Sequence, residues 1–153
     1  MNEHKKSLDN IVLIPCSGSE YNGELARQVA IRLNDEGVIS KNSSMLCSTT
    51  FLKNILLEKQ SLVDITKNNL KSSFLIVIEG CKSSCKSLIL KQLGINPDMI
   101  FHVDQIVPKE RLNLSDLEVF KNRPRLSNIK KDDISKMVDY IIKSLKEKGY
   151  NLN

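Results

Sequence analysis

The chain has no tryptophan, and aromatic residues make up only 5% of its 153 positions. Few side chains are thus available as stacking platforms for single-stranded nucleic acid. The charge balance adds little on that side. With 23 Lys plus Arg against 18 Asp plus Glu, the net charge is +5, which reads as a lysine-rich solvated surface. Together these features disfavour nucleic acid as a partner. No apolar run approaches the length needed to span a bilayer. Met1 to Asn10 is polar and charged, with no apolar stretch of signal-peptide length behind it. The expectation is a cytoplasmic protein without membrane contact. Internal repeats, low-complexity segments and linker-like stretches are also missing, so 1–153 reads as a single α/β domain. A content of 41% hydrophobic residues suffices for one sizeable core.

What the sequence does contain is a regular alternation of two patterns. Asn10 to Pro15 is a short apolar run ending at the small polar residues Cys16-Ser17-Gly18-Ser19. From about Gly23 the spacing becomes helical, with Leu25, Ala26, Val29, Ala30 and Leu33 on one stripe and Gly37 as the stop. After the polar Ser40 to Ser44, the segment Met45 to Thr49 predicts a very short strand that delivers Cys47. Ser48 or Thr49 then caps a helix carrying Phe51, Leu52, Ile55 and Leu56. A weaker helical signal at Leu62 and Ile65 precedes an expected loop over Asn68 to Ser73. Phe74 to Ile78 is the most apolar run of all, and predicts a strand buried on both faces. The expected helix after Glu79-Gly80-Cys81 uses Leu88, Ile89 and Leu93 and stops at Gly94. Met99 to Asp104 predicts a further strand. A final helix, capped by Asp132 or Asp133, carries Ile134, Met137, Val138, Ile141, Ile142 and Leu145, with Gly149 beyond its end. The fold class that follows is three-layer α/β, a mostly parallel sheet with helices on both faces, Rossmann-like.

Four cysteines, at 16, 47, 81 and 85, all fall where a strand ends or a helix begins. In such folds ligands bind in the crevice outside the carboxyl ends of the strands. If the predicted helix starts at Cys81, the i, i+4 spacing of Cys81 and Cys85 puts both thiols on one helical face. Four thiolates would close a tetrahedral zinc site with Zn–S near ~2.3 Å. Ser17, Gly18, Glu79 and Gly80 would be its turn and supporting residues, and Lys82 and Lys86 would offset its negative charge. The same ligand set suits an iron–sulfur cluster. A thiol-disulfide or sulfur-relay protein using Cys81 and Cys85 is the alternative from another class. A third is a phosphate- or nucleotide-binding module in which Ser17, Gly18, Ser19, Asn22 and Gly23 cradle the anion, although no Gly-x-x-x-x-Gly-Lys motif is present. Any partner would then be a small molecule or a protein.

Other polar residues have plainer readings. A cysteine phosphatase or arsenate reductase needs an arginine six residues after its nucleophile, and Asn22 and Ser87 stand at those positions. Glu79 is expected as a strand-end carboxylate bonded to backbone or serine. His102 is expected as a hydrogen-bonded core histidine, the alternative being a ligand, and Asp104 is likewise a candidate. The basic segment Lys121 to Arg125, with Lys130 and Lys131, is expected as a solvated connection, the alternative being a docking patch for an acidic partner.

Pro15-Cys16-Ser17-Gly18 after the first strand, Cys47 before a helix, and Glu79-Gly80-Cys81 with Cys85 resemble the DGC-domain family, named for an Asp-Gly-Cys motif and ascribed zinc binding. The resemblance covers about residues 10–109, leaving 110–153 as basic loop and C-terminal helix. It implies that Cys16, Cys47, Cys81 and Cys85 are zinc ligands, and it supplies no reaction. Two departures stand out: Glu79 replaces the family's Asp, and Val107-Pro108 stands where a Gly-rich segment is expected before Lys109.

Overall fold

The computed structural model describes residues 6–16, 18, 21–37, 39, 43–46, 54–80, 82–107 and 129–152. Strand β1 (Ile11–Pro15) is buried at all five positions and β3 (Phe74–Glu79) at all six. A strand buried on both faces needs apolar side chains in both alternating sets, as these two runs have. They pair with each other in parallel, Ile11 beside Phe74 through Pro15 beside Ile78. Outside them lie β2 (Ser43–Met45) against β1 and β4 (Met99–His102) against β3, both parallel, so the order is β2-β1-β3-β4. The described sheet is entirely parallel, with helices on both faces.

Alternation along the strands divides the interior into two cores. Ile11 and Leu13 with Phe74, Ile76 and Ile78 face helices α1 (Tyr21–Asp35) and, further along the chain, Lys131–Glu147. Val12 and Ile14 with Leu75 and Val77 face α2 (Gln60–Ser72) and α3 (Cys85–Gln92), a smaller cluster closed by Leu70, Leu90 and Ile95. A four-residue helix α4 (Val103–Ile106) links β4 to the first core, and α5 is the Lys131–Glu147 helix. Met137, Ile141 and Leu145 of α5 are fully buried, each stabilising the fold by about 1.5–3 kcal/mol through apolar burial.

Several expectations change in detail. The helix α1 starts at Tyr21, so Asn22 and Gly23 lie in its first turn and not in the preceding loop. Asn68 to Ser72 belongs to α2, because Leu70 is needed in the second core. The stripe on α3 is Lys86 and Leu90, while Leu88 is exposed. Strand β4 ends at His102, and Ile100 on this edge strand is 43% exposed. Residue Lys130, not Asp132 or Asp133, is the cap of α5, and Asp133 instead accepts a hydrogen bond from the Tyr21 hydroxyl (2.7 Å). Ser48, Thr49, Phe51 and Leu52, and the basic residues 121–125, lie outside the described residues.

Candidate functional site

Parallel pairing sends every strand toward the same rim, and the strand order gives that rim a focus. From β1 the chain crosses to β2 on one side, then returns to β3 on the other, so the reversal point lies between β1 and β3. The crevice outside the carboxyl ends of strands at such a point is the usual ligand position in open α/β sheets. Cys16 follows β1 there, its amide still donating to the Ile78 carbonyl at 2.8 Å. Gly80 follows β3.

The Cys16 sulfur is tightly surrounded. It accepts the Gly18 amide at 3.3 Å. A Cβ placed on Gly80 would meet that sulfur at 3.1 Å and the Gly23 nitrogen at 3.1 Å. A Cβ on Gly23 would come within 2.3 Å of the Gly18 carbonyl oxygen. Three segments, the ends of β1 and β3 and the first turn of α1, therefore meet backbone to backbone around one thiol. At 23 only glycine permits that approach, and at 80 any side chain would have to push its neighbours back.

On the other side of the sheet, Cys85 is exposed at the first position of α3. The preceding Ser84 adopts left-handed backbone angles, φ 51° and ψ 41°, and Lys82 and Ser83 form a turn. Helix α3 thus begins at Cys85, four residues later than expected, and the common helical face expected for Cys81 and Cys85 is not among the described residues. Glu79 is 2% exposed, and its Oε1 accepts both the Ser87 amide (2.8 Å) and the Ser87 hydroxyl (2.9 Å). The strand-end carboxylate thus satisfies an orphan N–H in the first turn of α3 and fixes that helix to β3, as its sequence position suggested. The next rim position is His102, in register with Glu79. Its Nδ1 and Oδ1 of Asp104 are buried, and neither finds a hydrogen-bond partner among the described residues. His102 is half-buried, and the hydrogen bond expected of it is not made through Nδ1 among the described residues. Lys86, 6% exposed, brings a cationic side chain into the layer beside Cys85.

One contributor went unnoticed in the sequence. Arg27 donates through one terminal nitrogen to the carbonyls of both Cys16 (3.2 Å) and Gly18 (2.9 Å), while its other nitrogens bind Glu24. Glu24 is in turn bonded by Gln28 (2.9 Å). Burial alone would raise the Glu24 carboxyl, but the hydrogen bonds from Gln28 and Arg27 and the Arg27 charge outweigh it and hold the group below its ordinary value. The only sequence signal was Glu24-x-x-Arg27, which on a helix says no more than a surface ion pair.

Cys16 and Cys85 are free thiols, and Cys47, Cys81 and Ser17 lie outside the described residues. Among the described residues, no three Cys, His, Asp or Glu side chains stand within reach of one ion. The model of the DGC domain matches residues 12–141. The chain belongs to the DGC domain family. The match runs past residue 109, where the resemblance was drawn, and into α5. No curated protein and no solved structure matches the chain. For this DGC-domain protein the longer Glu79, in place of Asp, has the reach to bond Ser87 across the β3–α3 turn. Among the described residues, no helix is long and apolar enough to cross a membrane.

Proposed function

We propose that this DGC-domain protein is a cytoplasmic zinc-binding protein that holds the metal through Cys16, Cys47, Cys81 and Cys85 at the carboxyl rim of its sheet. The observation that carries this reading is the closeness of Gly80 to the Cys16 sulfur, which would stand 3.1 Å from a Cβ at that position, because Cys81 is the residue that follows Gly80. Cys47 follows β2 by two residues, with the Leu46 amide still paired to the Leu13 carbonyl at 3.0 Å. The donors fit the ion: four thiolates are a closed, tetrahedral set for zinc. Their excess negative charge is offset by the Gly18 N–H on Cys16, the amino end of α3 and the buried Lys86. When bound, zinc in this closed set would supply a cross-link between segments distant in sequence. The protein's own residues pack the rim, with Glu79 tying α3 to β3 and the glycines admitting close approach. A small molecule or protein reaching the rim would find Cys85 exposed there.

The test is elemental analysis with thiol titration on protein purified without chelator. The reading requires one zinc per chain and four thiols that react only after chelation, with zinc lost on Cys16→Ser as well as Cys85→Ser. Metal-free protein with two fast thiols would replace it with the dithiol redox reading. Iron and sulfide with visible colour would replace zinc with an iron–sulfur cluster.

A further inference from the structure

We infer that Arg27 is the positioning residue of the Cys16 turn, holding it in the one orientation in which its amide faces the thiolate. The inference rests on the zinc reading for its metal arm only. Arg27 spans two turns of chemistry at once: one nitrogen takes the carbonyls of Cys16 and Gly18, and the remaining edge of the guanidinium is locked on Glu24, itself held by Gln28. The guanidinium fixes the turn by its Cys16 and Gly18 carbonyls, and in that position the Gly18 amide is aimed at Cys16 Sγ, at 3.3 Å. An N–H donated to the sulfur favours its anionic form.

The clamp also resists slippage. The Gly18 carbonyl is pressed against the backbone of Gly23, so the turn cannot settle toward the helix, and Arg27 prevents it from lifting away. Arginine suits this role because its planar fork can serve a carboxylate and two carbonyls together. A lysine ammonium in the same place would keep the charge without the fork.

The experiment compares wild type with Arg27→Lys and Arg27→Gln by zinc competition against a chelator, by cobalt substitution, and by deuterium uptake of the metal-free β1–α1 turn. Loss of an orienting group behind a metal ligand weakens binding by roughly 10–100-fold, and that is expected for both variants. The thiolate-to-cobalt charge-transfer band should weaken in parallel. Uptake across the turn should rise by about 5–30-fold, as expected when one or two hydrogen bonds are removed. Unchanged zinc affinity in folded variants of a zinc-binding wild type would overturn the inference, whatever happened to melting temperature, as would full recovery by Lys. If wild type binds no zinc, the proposed function fails and uptake alone decides: faster exchange upholds the clamp, unchanged exchange removes it.

Discussion

Replacing Gly23 by alanine tests the convergence at the rim most directly, because two effects of opposite sign compete there. Gly23 lies inside α1, where alanine is favoured over glycine by about 0.8–1.0 kcal/mol. Helix propensity taken alone therefore makes the variant more stable. The added Cβ, however, would fall 2.3 Å from the Gly18 carbonyl oxygen, 2.7 Å from its carbon and 2.9 Å from its Cα, all backbone atoms that cannot rotate away. To reach even a tight contact the carbonyl must retreat by about 0.7 Å, and forcing such a shift typically costs about 1–3 kcal/mol. It would also disturb the 2.9 Å bond that Arg27 donates to that carbonyl, about 1 kcal/mol more. The steric side wins by about 1–3 kcal/mol, which for a chain of this size lowers the melting temperature by about 2–12 °C. Thermal unfolding of metal-free protein measures this, with zinc retention measured separately. A variant as stable as wild type, or more so, would refute the close packing of the Cys16 turn on α1.

Glu79→Ala should cost about 2–4 kcal/mol in urea unfolding, since it strands the Ser87 amide and leaves a void at a buried position. Glu79→Gln keeps a carbonyl oxygen for the same bond and should cost less than about 1.5 kcal/mol; equal losses would show that the charge, not the acceptor, matters. Acid should act through Glu24, whose carboxyl is held below its ordinary value in the folded chain. Its contribution is fully present above the usual carboxylate range near about 4.3 and is lost as pH falls through the lowered folded value. The melting-temperature difference between wild type and Glu24→Gln should therefore shrink in that acidic window. A difference constant from neutral to strongly acid pH would contradict it.

Hydrophobic pattern alone made the architecture legible. Phe74 to Ile78 read correctly as a doubly buried strand, the short apolar run ending at Pro15 as a strand, and the stripes Leu25 to Leu33 and Met137 to Leu145 as helix faces, because period and run length are local properties of the chain. Glu79 as a strand-end acceptor was equally readable. The helix beginning at Cys81 was not: Ser84 takes a left-handed conformation that no spacing rule announces. Leu88 fits a helical stripe yet stands in solvent, since the smaller core on that face is filled by Leu90 and Ile95. His102 reads as core from its apolar neighbours, but β4 is the edge strand of the described sheet, a fact set by strand order.

Sequence by itself thus determined the α/β class, the family and the positions of four cysteines at element ends. Tertiary structure decided that Gly80 lies close beside the Cys16 sulfur, that Gly23 packs on Gly18, and that Arg27 reaches back to the turn. Periodicity reports which face of an element is apolar, whereas these contacts depend on which elements become neighbours, and neighbours are chosen by the packing of the whole sheet.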